Sequence, residues 1–586
     1  MRGFFKIVFA TLLALILFTV IGVFILIGIA TSAASSEKPA IGNKAVLVLN
    51  FDVPFKEQYE EDPFKSIFRN TAEDVPSLFE VIQLLDHAKS DSSIKGVYLQ
   101  CADNANGFAA SEEIRKAIIN FKQSGKYVLA HGEVISQKGY YIGSAADAIY
   151  CNPQGGLDWV GFSSNLFFLK GMLDRLEIQP QIFYAGKFKS ATEPLRETKM
   201  TDANKVQTGV WLGELYTHFI EATASSRKKD TATFRKLALT GAIQTAYDAQ
   251  KNGLVDGLKY DDEIKSIWLK KLSMGEKEKI NFVTIGDYRA SADYKKNGNN
   301  KVALVFASGD IVSGYGDNEQ VGSDNFKNVL RKIRLDKDIK AVVFRVNSPG
   351  GSALASEVIW REISLIRKEK PVVVSMGDVA ASGGYYIACN ADSIFANANT
   401  ITGSIGVFSI VPNLQSFFKN KIGITFDGVK TAPYADMGGI DKPLTDPEKR
   451  FFQASVDSIY YTFKTRVANG RKMGIANVDS VAQGRVWTGA HATSIGLVDR
   501  VGTIQDAINC ALRMAKLDKA DYKLREYPEK RSLLDQLMND YQKTISNNLM
   551  STQLDADELK LIKSVKELKQ MKGVPQTKIP FLFTIN

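Results

Sequence analysis

The sequence predicts an α/β protein built as two tandem copies of one domain behind an N-terminal transmembrane helix. Three observations lead there. Residues 7–30 are almost wholly apolar, the chain repeats itself at a spacing near 245 residues, and short β-branched runs alternate with helical stretches inside each copy.

The first element is "MRGFFKIVFATLLALILFTVIGVFILIGIATSAASS", which carries Arg2 and Lys6 and then no charge before Glu37. Its apolar run is long enough to cross a hydrocarbon core of about 30 Å as a helix. A cleaved secretory signal has an apolar stretch of only about 7–15 residues, so residues 1–36 are read as an uncleaved anchor with its flank. Arg2 and Lys6 keep the short N-terminus in the cytoplasm by the positive-inside tendency and send the body across the membrane. No other segment of the sequence is long and apolar enough to span.

The repeat comes next. "HGEVISQKGYYIGSAADAIYCNP" from His131 aligns with "MGDVAASGGYYIACNADSIFANA" from Met376, an offset of 245 residues. "KGVYLQCADNANGFAASEEI" from Lys95 aligns with "KAVVFRVNSPGGSALASEVI" from Lys340 at the same offset, and "GAIQTAYDAQKNGLVDGL" from Gly241 with "GRVWTGAHATSIGLVDRV" from Gly484. The copies open on "KAVLVLNFDV" and "KVALVFASGDI", so residues 37–295 and 296–520 form two domain-sized halves. Runs such as "AVVFRV" and "PVVVSM", alternating with "ALASEVIWREISLIRKEK", are βαβ units with right-handed crossovers. Residues 521–586 lie beyond the repeat. There "SLLDQLMNDYQKTISNNL" and "ADELKLIKSVKELKQMKG" show helical spacing, read as a helical extension packed on the body or in an oligomer interface.

Composition removes several function classes. Cys101, Cys151, Cys389 and Cys510 lie far apart without CxxC spacing, which argues for core residues and against a zinc site or a disulfide scaffold. His87, His131, His218 and His491 are the only histidines and form no HExxH, so a metalloprotease has no ligand set. The net charge of +10 is spread along the chain with no dense basic tract, so nucleic acid is not an expected partner. No nucleotide, metal or other cofactor is implied.

The copies differ where chemistry would lie. Ser382 falls opposite Gln137, and Gly350 and Gly351 of "NSPGGS" fall opposite Ala105 and Asn106. The second copy therefore has a hydroxyl and a glycine pair, and the first has neither. Acyl transfer needs a nucleophile and backbone N–H donors about 3 Å from the developing oxyanion, and glycine lets a backbone come that close. N–H groups of Gly350 or Gly351 and of Gly383 are the candidates. A serine at a strand-to-helix junction is by itself more often an N-cap, but the glycine loop and the asymmetry of the copies favour a nucleophile. Its base is read as a lysine, whose amine must be buried to fall from its usual value of about 10.4. "YAGKFKSATEPL" offers Lys187 and Lys189.

With "NSPGGS", "ASGGYY", "TGSIGVF", "FKSATEP" and "GRVWTG…GLVD" together, nearly the whole chain resembles the long, two-repeat bacterial form of the signal peptide peptidase A (SppA) family. That resemblance implies a ClpP/crotonase-like fold for each of the two tandem domains and a serine–lysine dyad, with Ser382 as nucleophile and Lys189 as general base. It also implies that Ser404 of "TGSIG" orients the lysine. The family pattern further implies a membrane-tethered homotetramer on the periplasmic side of the inner membrane, degrading cleaved signal peptides and other apolar, extended peptides without a cofactor. Phe188 stands where a tyrosine commonly precedes the lysine, a conservative change that still shields the amine. Lys430 of "DGVKTAP" is the reserve base, because single-repeat relatives take theirs from that kind of position, and Lys187 ranks third. Tyr385 and Tyr386 are read as core. Two rivals stand beside this reading: a crotonase-like acyl-CoA enzyme, which coenzyme A binding would reveal, and a non-catalytic membrane scaffold, which would ignore serine-directed probes.

Overall fold

The computed structural model describes residues 41–59, 74–317, 319–529 and 573–579, the backbone of 584–585, and parts of a helix within residues 3–22. Each copy is built on a parallel sheet. In the first, six strands run in the order Gly257–Leu258, Ala148–Leu157, Tyr127–Ile135, Ile94–Gln100, Ala45–Asn50, Asn281–Thr284, every pair parallel. These strands read as near-continuous apolar runs because helices such as Leu78–Ala88 and Phe108–Lys122 cover the sheet.

The second copy repeats the plan. Asn300–Ser308, Ile339–Ser348, Val372–Ala381 and Ser393–Ala396 pair in parallel as their counterparts do. The repeat extends further than the sequence shows. In the first copy the late strand Asn281–Thr284 returns to pair with the opening strand Ala45–Asn50, and in the second Tyr522–Tyr527 returns to Asn300–Ser308. The second copy thus continues past residue 520, and the opening of the expected helical extension is a strand. The two predicted helices of that extension lie outside the described residues.

A third sheet joins the copies, in the order Gln320–Gly322, Asp310–Val312, Gly350–Ser352, Gln576–Lys578, Val407–Asn413, Gln179–Ala185. Its decisive pair is antiparallel: Gln179–Ala185 of the first copy runs against Val407–Asn413 of the second, in unbroken register from Ala185 opposite Val407 to Gln179 opposite Asn413. Phe183 and Ala185 enter the core of the second copy by this route. A buried ionic cluster is the other seam. Arg345 of the second copy donates from Nε to the Glu57 carboxylate at 2.8 Å and from Nη1 to that of Glu113 at 2.9 Å, both acids belonging to the first copy. In return the Asp378 carboxylate accepts from the N–H groups of Ala109 and Ala110.

Residues 9–22 are helical and their large apolar side chains are exposed. No helix among the described residues is long and apolar enough to cross a membrane, and the remainder of the predicted span lies outside them.

Candidate active site

Ser382 stands between the strand Val372–Ala381 and the short helix Gly383–Ala388, at φ 54° and ψ −113°. Residues with a Cβ rarely adopt this conformation, and it costs on the order of 1–3 kcal/mol. Neighbours hold it there: the Ser382 N–H donates to the Gly403 carbonyl at 2.8 Å, and its own carbonyl accepts from the Tyr386 N–H at 2.8 Å. The hydroxyl caps nothing. In the first copy the ordinary arrangement is present instead, with Ser136 capping its helix through the Gly139 N–H and Gln137 tied by its side chain to Val160 and Gly161.

Lys189 arrives from the other copy. After Gln179–Ala185 the chain turns at Gly186 (φ 113°), where a Cβ would lie 2.6 Å from the Gln483 backbone. The Phe188 N–H then donates to the Gln483 carbonyl at 2.7 Å, and the short helix Ser190–Thr192 follows. Gly484 backs the lysine so closely that a Cβ there would stand 2.7 Å from the Lys189 Cβ. Gln207 clamps both flanks, its Nε2 donating to the Phe188 carbonyl and to Ser190 Oγ, each at 3.0 Å. Neither Gly484 nor Gln207 was singled out for this role from sequence. Gly484 carried a signal only as a repeat marker in "GRVWTG".

These supports bring Lys189 Nζ to 2.9 Å from Ser382 Oγ, with Ser404 Oγ at 3.1 Å and the Ser404 carbonyl at 3.3 Å. All three residues are buried. Burial drives the Lys189 amine well below its ordinary range by penalising the charged form. Ser404 is held at φ 51° by donating its N–H to the Arg485 carbonyl at 2.7 Å.

A Cβ on Gly350 (φ 99°) would lie 2.6 Å from the Gly383 nitrogen, which measures how near these two backbones come beside the serine. Gly350 and Gly351 both lie in the strand Gly350–Ser352, Gly350 opposite Lys578 and Gly351 between Ile311 and Thr577. Trp211 and Leu215 of the helix Asp202–Arg227 cluster with Ala381, which precedes Ser382, and with Val486 and Ile579 as an apolar patch.

The reserve lysines are elsewhere. Lys430 is exposed on a loop, its Nζ 3.0 Å from the Asp436 carboxylate. Lys187 is exposed over the Phe188 ring. Tyr385 and Tyr386 are buried, their hydroxyls donating to the Leu497 carbonyl and the Glu357 carboxylate. The four cysteines are buried free thiols.

The profile of Peptidase family S49 matches residues 120–273 and 364–518, one stretch in each copy. The chain is 35% identical over 556 residues to "Protease 4" of Haemophilus influenzae, covering 89% of this chain and 88% of that protein. It belongs to peptidase family S49. As an S49 serine peptidase it has further relatives in "Protease 4" of Salmonella typhi, 36% identical over 473 residues (79% of this chain, 76% of that one), and "Serine protease SPPA, chloroplastic" of Arabidopsis thaliana, 33% identical over 467 residues (78% and 68%). Only the second S49 stretch carries a serine at the strained junction, the first having Gln137 there.

Proposed function

We infer that this S49 peptidase is a membrane-anchored endopeptidase working through a Ser382–Lys189 dyad on apolar, extended peptides, cleaved signal peptides among them. The observation that carries the reading is the 2.9 Å approach of a buried lysine amine to a strained, uncapped serine. Ser382 Oγ attacks the peptide carbonyl as its proton passes to Lys189 Nζ. The N–H groups of Gly350 and Gly383 receive the oxyanion. The lysinium then gives its proton to the leaving amine; the neutral amine so restored takes a proton from water as it attacks the acyl-enzyme, and returns it to Ser382 Oγ as the acid product leaves, regenerating the serine. Ser404 supplies the polar partners that orient the amine.

The apolar patch of Trp211, Leu215 and Val486 beside Ser382 supports a preference for apolar side chains next to the scissile bond. The apolar N-terminal segment, with Arg2 and Lys6 before it, supports anchoring with the body on the periplasmic side of the inner membrane. A homotetramer enclosing its sites belongs to the same proposal and rests on the family pattern. The test is hydrolysis of an apolar fluorogenic peptide by the full chain and by Ser382→Ala, Lys189→Ala and Lys430→Ala, each checked for folding. Loss in the first two with Lys430→Ala unaffected is the expected result; an active Ser382→Ala protein removes the mechanism.

A further inference from the structure

Resting on the reading of Ser382 as the nucleophile, we propose that the segment Gly573–Ile579 of this chain is an internal inhibitor that occupies the substrate groove as an added β-strand. The groove lies between Gly350–Ser352, the glycine strand beside the nucleophile, and Val407–Asn413. Gln576–Lys578 fills it, antiparallel to the glycine strand with Lys578 opposite Gly350, Thr577 opposite Gly351 and Gln576 opposite Ser352, and with Gln576 paired to Phe408 on the other edge.

The bonds run the length of the segment. The Gly573 N–H donates to the Ile410 carbonyl at 2.9 Å, the Ala353 N–H to the Pro575 carbonyl at 3.2 Å, and the Ile579 N–H to the Pro349 carbonyl at 3.0 Å. Thr577 Oγ1 donates to the Gly351 carbonyl at 3.1 Å. Ladder bonds to a strand edge, with a pocket for a side chain, are how a folded domain takes up an extended peptide. Here Ile579 packs with Trp211, Leu215, Val486 and Ala381, the residue immediately before the nucleophile. Lys578 Nζ lies 2.7 Å from the Asp310 carboxylate at the end of the groove. With this strand in place Ser382 is 0% exposed.

A tethered competitor acts at an effective concentration in the millimolar range, and a substrate's apparent affinity falls by the fraction of chains with an open groove. The inhibition is competitive, so its relief shows in KM.

Two substitutions in the full chain test it. Ile579→Asp places a carboxylate in the apolar patch, and Lys578→Glu sets like charge against Asp310 while leaving Ile579 in place. The expected result is a rise in kcat/KM toward an apolar fluorogenic peptide, roughly tenfold or more for Ile579→Asp and severalfold for Lys578→Glu, carried by KM. Independently of turnover, a fluorescent peptide of residues 573–579 is titrated onto Ser382→Ala protein with and without Ile579→Asp; it is expected to bind only when Ile579 is replaced. Equal binding to both proteins, or unchanged KM in both tail variants, overturns the proposal. Binding that depends on Ile579 in a protein whose Ser382 parent hydrolyses nothing would keep the occluded groove and remove the peptidase mechanism instead.

Discussion

Lys189 Nζ and Ser382 Oγ stand 2.9 Å apart although 193 residues separate them and each belongs to a different copy of the repeat. The lysine follows the strand that the first copy lends to the sheet between the copies, and the serine ends a central strand of the second. Their distance is therefore set by the pairing of Gln179–Ala185 with Val407–Asn413.

Lys189→Met keeps the length of the side chain and removes the amine. Peptide hydrolysis is expected to fall about a thousandfold or more, measured at saturating substrate. The same protein reports on linkage. The unfolded amine titrates near 10.4, and burial holds the folded one well below that. Between those values the unfolded chain binds the extra proton, so the lysine's share of stability is fully present above the unfolded value and is lost as pH falls toward the folded one. Thermal midpoints of wild type and Lys189→Met should converge as pH rises and separate as it falls, the methionine protein being the more stable. Activity of the wild type should rise with pH through the folded value.

Ser382 is strained, and glycine is not at these angles. Ser382→Gly is expected to exceed Ser382→Ala in stability by about 1 kcal/mol in urea unfolding, because the alanine Cβ keeps the strain that glycine relieves. Both should be inactive. Equal stabilities would mean that φ 54° costs nothing at this turn.

Ser404→Ala removes the hydroxyl 3.1 Å from the Lys189 amine. As a positioning residue it should lower kcat about ten- to a hundredfold and leave KM nearly unchanged. A hydrogen bond donated by the charged amine favours the charged form, so its loss should move the acid limb of the pH–rate profile to lower pH. A merely structural residue would leave that limb where it is.

Glu113→Ala leaves the buried Arg345 with one carboxylate in place of two, and also frees Asn397 Nδ2, which donates to Glu113 Oε1 at 2.8 Å. Breaking a buried pair from one side costs about 3–5 kcal/mol. Because the pair spans the copies, denaturant unfolding should show that loss together with a lowered kcat, as this second seam between the copies that carry Lys189 and Ser382 loosens.

Much of this was legible in the sequence. The two copies, the α/β class and the serine with its glycine neighbours could be read because repetition within one chain shows where the halves agree and where they differ: Ser382 against Gln137, Gly350 against Ala105. The lysine was legible only as a short list. Lys187, Lys189 and Lys430 are the same side chain, and what separates them is solvent: one is sealed beside Ser382, one lies exposed over a ring, and one is ion-paired to Asp436. Burial is a property of the packed fold, so no local pattern carries it.

The segments after residue 520 show the same division more sharply. "YKLREY" and "QTKI" are too short and too polar to declare themselves strands, and each becomes one by pairing with an edge formed far away in the chain, at Asn300–Ser308 and at Gly350–Ser352. The sequence by itself determined the duplicated architecture, the S49 motifs and the serine with its glycine neighbours, because these depend on residue type and local spacing. Tertiary structure alone decided which lysine meets the serine, that Gly350 and Gly351 lie in a strand, and that Gln576–Lys578 pairs with it, because each depends on strand edges and buried volume that exist only once the two copies have packed together.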